Sequence, residues 1–514
     1  MAMNFSRFLK YLAFMMLFVV VGGYRFGTGD HVSQLPTVIH FFNPHLYITD
    51  FAHQMIFPWY VKSGLFISLA WFSKLTHIRL EYVFFVVYCA VLYGYIAWMD
   101  EFFEILGIRK KTRDLALLLL LPYSHLFVSI SHFHLVTLRL VPYFFVLPLC
   151  IKAMNFFLSD RYLYASLTAS SVFYLHQQLG LILFGALFFP LFLEVLRSRD
   201  CLKALFRLSI PFSFFFFIHF SFMQLFGSYS GYPWFDTDWG NQLFQMVKFR
   251  VPHHLLLSHS GMLERTSFVL VLAVIFSALT MFLKVQNERM ARRLIYMAIG
   301  LVLCCIAGFI FTKLVPLPIA FNLYLFRSDV LLRIMGFASF ALVLDRMFRN
   351  INLLRTIRVI FIVTAIGGLT VCILKDNIRI FVPRNELVSI SKCIKRNTPV
   401  SAFIMASPSL KGLRLYSERS VFVSWKSHGL FFPPDVAREW FYRMKLLCGM
   451  EKNIPCQGTP CRKVCQKNFE TLSDERLLNI ATRYNVNYLL VSRNRFFPFE
   501  RVCQNNRFVL YRLR

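Results

Sequence analysis

Apolar runs follow one another along most of the chain, at 8–23, 56–73, 82–100, 115–131, 139–157, 162–176, 178–196, 208–226, 266–284, 294–312, 328–345 and 357–374. A run of about 18 apolar residues is long enough to cross a bilayer as a helix. Composition agrees: 16% of the residues are charged and 57% hydrophobic, where ordinary soluble domains are about a quarter charged. The expected class is an α-helical polytopic membrane protein. The first run has Arg7 and Lys10 at its start and Gly22-Gly23-Tyr24 behind it. That is a poor signal-peptide cleavage site, so the run is read as an uncleaved first helix.

Short cytoplasmic loops collect Lys and Arg. Basic connections occur at 109–113, 197–207, 284–293 and 346–358. All of them, with the N-terminus, fall on one side only if 56–73 does not span. That segment contains Pro58 and Lys62, and Trp59, Tyr60 and Trp71 are residues favoured at the membrane interface. The expectation is therefore about eleven transmembrane helices, with 56–73 on or dipping into the outer face. Residues 1–375 form the membrane domain, with long outer loops 24–81 and 227–265. Residues 376–514 form a soluble extracytoplasmic α/β domain, with strand candidates 402–406, 420–425, 487–492 and 507–512 and helix candidates 434–447 and 473–484. This domain holds 24 Lys+Arg against 10 Asp+Glu. Long domains translocate largely regardless of charge, so the excess does not move it inside.

The formal net charge is +30. The basic residues sit mainly in short loops and in the C-terminal region, where lipid phosphates are the nearby anions. No nucleic-acid-binding motif is present, and nucleic acid is excluded as a partner.

Six cysteines, Cys393, Cys448, Cys456, Cys461, Cys465 and Cys503, lie in the C-terminal region. CxxC pairs with zinc-like spacing are absent. An even count outside the cytoplasm points to disulfides, with connectivity left open.

Three constellations can carry chemistry, and all fall on the outer side. Asp30 follows Gly-Thr-Gly at the outer end of the first helix, and Asp50 lies twenty residues on, among His31, His40, His45 and His53. A carboxylate there can act as a general base for a hydroxyl acceptor; a metal ligand, a helix cap or a solvated loop residue are the alternatives. Arg250, His253 and His254 form a compact group that can donate to phosphate, or an interfacial patch touching bulk lipid. Arg327 lies at the mouth of a helix with Arg333 two turns deeper. An arginine in the hydrocarbon zone needs a partner or a polar cavity. Either Arg333 pairs with Asp329, four residues away, or both arginines bind a phosphate headgroup. Ser131-His-Phe-His with Arg139, and Tyr174 with His176-Gln-Gln, belong to the same face. No repeats and no midplane acid pair of the transporter kind are seen.

Gly29-Asp30 with Leu35-Pro36, Asn43-Pro44-His45-Leu46-Tyr47 with Asp50, Arg250-Val-Pro-His-His, Arg327 with Asp329-Val330, and Ser417-Glu-Arg-Ser with Trp425-Lys426 together resemble the GT-C superfamily. These are integral-membrane glycosyltransferases that use polyprenyl-phosphate-linked sugars. Within that build, the chain is similar to uncharacterised bacterial membrane proteins. The resemblance implies an inverting transfer at the outer face of a bacterial inner membrane. Asp30 would be the base, with Asp50 second, and Arg250, His253, His254, Arg327 and Arg333 would hold the donor phosphate. Many members carry two adjacent acids in this loop, whereas here His31 follows Asp30. This argues against a carboxylate-held divalent metal, and no other cofactor is implied.

The expected activity is transfer of a sugar from a polyprenyl-phosphate donor to a glycan or protein acceptor of the cell envelope, with membrane lipid as the surrounding partner. The other classes are a lipid or polymer flippase or another transporter, and a non-catalytic envelope scaffold.

Overall fold

The computed structural model describes residues 5–51, 64–126, 129–130, 132–226 (222–226 as backbone only), 232–256, 261–280, 287–347, 359, 363, 367, 378–382, 384–426, 434–451 and 454–514. The first half of segment 56–73, most of 357–374, His53, Ser131 and Cys372 lie outside these residues.

In chain order the helices are α1 Phe5–Gly22, α2 His31–Phe42, α3 Gly64–Thr76, α4 Leu80–Ile105, α5 Lys110–Leu126, α6 Pro142–Leu158, α7 Tyr162–Leu175, α8 Gln177–Arg197, α9 Leu202–Phe226, α10 Thr237–Arg250, α11 Pro252–Leu255, α12 Met262–Ala278, α13 Glu288–Phe309, α14 Pro318–Leu323, α15 Ser328–Met347, α16 Glu386–Asn397, α17 Leu413–Ser417, α18 Pro434–Cys448, α19 Thr459–Thr471 and α20 Asp474–Arg483. The strands are β1 Tyr24–Arg25, β2 Ile378–Arg379, β3 Phe403–Ala406, β4 Ser420–Val421, β5 Tyr488–Ser492, β6 Glu500–Gln504 and β7 Phe508–Arg512. The chain forms two compact units.

The first unit comprises residues 1–26, 78–221 and 253–380 and is built from the apolar helices. Among the described residues, five helices are long and apolar enough to cross a membrane: α1, α4, α8, Arg199–Ser221 within and before α9, and Glu288–Leu314, which is α13 with the turn after it. The outward face of α9 shows why lipid is the fitting solvent. Ile210, Phe214 and Phe217 are 63%, 60% and 64% exposed, an apolar surface that water would disfavour. The chain thus has the build of a helical membrane protein. Charges inside the unit are paired. Arg293, 2% exposed, donates to Glu194 at 2.9 Å and to Asp160 at 2.7 Å, and Lys10 meets Asp100 at 2.8 Å. β1 and β2 form a short parallel pair in the same unit.

The second unit comprises residues 27–77, 222–252 and 381–514. Residues 27–77 of the first long loop, and the second long loop up to Pro252, therefore belong to the same compact unit as the C-terminal region. Its sheet has the order β4-β3-β5-β7-β6. β3 is parallel to β4 and β5, while β7 is antiparallel to β5 and β6. β3 is buried along its whole length, as expected for a parallel strand covered on both faces. Ile390 and Ile394 of α16 pack on Ile404, Ala406, Leu490 and Leu510 of the sheet. The sequence signals for α16 are ordinary ones. Asn385 accepts from the Val388 N–H, Glu386 lies in the first turn, and Lys395 and Arg396 lie in the last.

All six C-terminal cysteines are paired. Cys393 joins Cys503, tying α16 to β6; Cys448 joins Cys465, tying α18 to α19; and Cys456 joins Cys461 just before and within the start of α19. Separations of 110, 17 and 5 residues rank their effect on the unfolded chain, since a longer closed loop removes more entropy. Replacing Cys393 and Cys503 together by Ala should lower stability by about 2–5 kcal/mol. Replacing Cys456 and Cys461 should cost less. Thermal unfolding of the variants checks the ranking, and an equal or reversed order would refute it.

Candidate functional site

The site in the second unit starts from a turn. Gly27 and Gly29 adopt positive φ, 68° and 61°, a region open to glycine without steric cost. The turn is pinned from two sides. Gly27 N–H donates to His31 Nδ1 at 3.1 Å, and Tyr416 Oη donates to the Gly27 carbonyl at 2.6 Å. His31 is fully buried and serves the turn. Asp30 then occupies the position before α2, yet its carboxylate makes no cap hydrogen bond. The helix-cap alternative therefore does not describe Asp30. Its side chain, 49% exposed, is instead ion-paired with Lys426.

Cations gather around this one acid. Burial lowers the Lys411 ammonium to about 8, reinforced by the charges of Arg462, Lys426 and Arg250 and opposed by Asp30. Arg250 ends α10, and its guanidinium lies 5.4 Å from the centre of the Trp440 ring. Trp440, 1% exposed, donates from Nε1 to the Ser424 carbonyl at 3.0 Å. Phe249 packs on Trp425 at 5.0 Å and on Phe441 at 5.6 Å. The last turn of α10 is closed by Gly458, whose N–H reaches the Phe249 carbonyl at 2.9 Å. Lys411 thus lies near three other cations and one carboxylate, with Lys426 paired to Asp30 and Arg250 over the Trp440 ring. Such a group favours an anion, and phosphate oxygens suit Lys and Arg donors.

Asp50 has a different role. It is 0% exposed and accepts from Arg414 Nε at 2.6 Å and Nη2 at 3.1 Å, and from the Val421 N–H at 3.3 Å. Asp50, expected as second base, is thus held among buried partners, where Asp30 is half-exposed. Tyr47, with φ 63°, donates to the Arg414 carbonyl at 3.2 Å. His40 bonds the Leu46 carbonyl at 2.7 Å, and His45 is exposed.

The remaining expected residues belong to the first unit. Arg327 donates to His176 Nε2 at 3.0 Å and to Gln178, and lies over the rings of Tyr324 at 4.4 Å and Phe133 at 4.9 Å. His254 stacks on Phe133 at 5.1 Å, and His253 meets His254 at 4.1 Å and His132 at 5.3 Å. The scattered groups around 132–134, 176–178, 253–254 and 327 are thereby one cluster within that unit. Arg333 is not part of it. It is 0% exposed, pairs with Asp329 at 3.0 Å and donates to Ser267 at 3.1 Å. The pairing with Asp329 is one of the two alternatives that the sequence left open for Arg333. Among the described residues no group of three His, Cys, Asp or Glu is arranged to hold a metal.

A family model described as a domain of unknown function (DUF6798) matches residues 386–447. No curated protein matches the chain. The matched stretch carries Lys411, Arg414, Trp425, Lys426 and Trp440, so it includes the basic partners of both Asp30 and Asp50. Lys411 and Arg462 had no signal in the sequence, since nothing local to either position points to a distant acid.

The two aspartates should separate experimentally. Asp50→Asn leaves Arg414 buried with a weakened partner and should lower stability by about 3–5 kcal/mol. Asp30→Asn removes an exposed pair and should change stability by no more than about 1 kcal/mol. Chemical unfolding of the two variants decides, and equal losses would contradict the assignment.

Proposed function

We propose that the chain is a GT-C-like glycosyltransferase of a bacterial inner membrane, working at the outer face with about eleven transmembrane helices and an extracytoplasmic C-terminal α/β domain. The observation that carries this reading is Asp30. It is half-exposed, makes no cap hydrogen bond, and stands among Lys426, Lys411, Arg462 and Arg250. The donor is a polyprenyl-phosphate-linked sugar and the acceptor a hydroxyl-bearing glycan or protein of the envelope.

In the proposed step, Asp30 takes the proton of the acceptor hydroxyl as that oxygen attacks the anomeric carbon. The bond from this carbon to the phosphate oxygen breaks, and the polyprenyl phosphate leaves with the electron pair. The proton ends on Asp30, and the new glycosidic bond has inverted configuration. Lys426, Lys411, Arg462 and Arg250 neutralise the charge that grows on the leaving phosphate, the place where preorganised donors help most. Arg327 with His253 and His254 is the anion-binding group of the membrane unit, and its assignment to lipid phosphate belongs to the same proposal.

Two measurements test this. Native mass spectrometry of the protein extracted from its own membrane should show bound polyprenyl phosphate, lost in Arg250→Ala with Lys411→Ala; only bulk phospholipid, unchanged by the variants, would overturn the donor assignment. With donor and acceptor supplied, Asp30→Asn should lower transfer by about 10²–10⁴-fold while donor is still retained.

The pH dependence has a definite sign. Lys411 is charged below about 8 and neutral above it, so polyprenyl-phosphate retention should fall between pH 7 and 9. Lys411→Arg stays charged throughout and should abolish that fall. A wild-type profile that is flat over this range would exclude Lys411 from the phosphate site.

A further inference from the structure

A cavity in the second unit is lined by none of the residues of the Asp30 group. Its volume is about 420 Å³, within the range of about 300–1,000 Å³ usual for ligand pockets. Its place follows from strand order. β4 lies on one side of β3 and β5 on the other, so the chain reverses direction across the sheet between β3 and β5. Ser407 directly follows β3 and Ser492 ends β5, and both line the cavity. The cavity therefore opens at the carboxyl ends of two parallel strands at their switch point, where open α/β sheets bind ligands.

The lining narrows the ligand class. Phe469 and Phe508 contribute buried aromatic rings, and the polar groups are Ser407, Ser492, Gln466, Glu470, Asn494 and Arg507. Hydroxyl, amide, carboxylate and guanidinium stand together. Among the described residues, the side chains of Ser492, Asn494 and Arg507 have no hydrogen-bond partner. Arg495, also in the lining, is already ion-paired with Asp474 and donates to the Phe469 carbonyl at 3.2 Å. That leaves one available cation, Arg507, beside one acid, Glu470. With one available cation balanced by one acid, the lining has no excess positive charge to favour a phosphate. Sugar hydroxyls both donate and accept, so a lining of mixed donors and acceptors matches them.

We propose that this cavity is a saccharide-binding site that holds a short oligosaccharide. The inference does not rest on the transferase reading, because a chain that only held or moved glycan could use the same site.

The test uses the full chain in lipid nanodiscs, free of sugar-based detergent. The probes are soluble hexose, N-acetylhexosamine and uronic-acid oligosaccharides, read by saturation-transfer NMR and titration. Saturable binding of at least one class with Kd below about 1 mM is expected. Asn494→Ala with Arg507→Ala should weaken it about tenfold with all three disulfides retained. Asp30→Asn should leave it unchanged, which separates this site from the proposed transfer chemistry. Absence of binding below that limit, equal binding in the double variant, or displacement of the saccharide by inorganic phosphate would each overturn the proposal.

Discussion

The second unit depends on the buried ion pair of Asp50 and Arg414. Its partners are 364 residues apart in sequence, so it ties the first long loop to the segment between β3 and β4. Both side chains are almost fully removed from water, at 0% and 3% exposed. A buried pair of this kind is weak evidence for net stabilisation, but losing either partner strands a charge in a dry interior. Any placement of this loop that parted the two would leave Arg414 buried without its carboxylate. Asp30, on the same loop and one helix away, shares its placement. The exposed contact of Asp30 with Lys426 then does not have to hold the fold, since exposed pairs contribute little.

The membrane helices were legible because their signal is carried by length and composition, which need no partner information. α4, α8 and α13 lie where apolar runs predicted helices. In the C-terminal region β3, β5 and β7 coincide with apolar candidate strands, and α18 and α20 follow their start signals. What escaped was polar or short. α2 lies in a stretch read as loop, with Pro36 inside the helix to obscure the pattern. α10 had a start signal that was passed over: Asp236 accepts from the N–H groups of Asp238 and Trp239. β6 is a mostly exposed, charged strand, without the alternating apolar face that marks one.

The site was half legible. Asp30 stood out by position, and Arg327 and Arg250 by being basic near apolar segments. The roles of Asp50 and Arg333 turned on burial, which local sequence does not encode. The Asp329–Arg333 spacing offered the pairing as one of two alternatives, whereas Arg414 gave no hint that it belongs to Asp50. The disulfides show the same division. An even count of cysteines indicated pairing, but no spacing rule selects Cys393 with Cys503 from the other arrangements.

Four cations around one exposed acid is an arrangement that repels itself. A structural role would be better served by matched charges, as the first unit shows where Arg293 meets Glu194 and Asp160. The second unit instead keeps Lys411 partly buried among like charges, at a cost visible in its lowered affinity for a proton. Rigid supports allow this: the aromatic floor of Trp425, Phe249 and Trp440, and the disulfides at both ends of the segment joining α18 to α19. Repulsion held in place this way is relieved when an anion enters. In the proposed transferase, this charge pattern is what would draw a phosphate-bearing ligand to the side of Asp30.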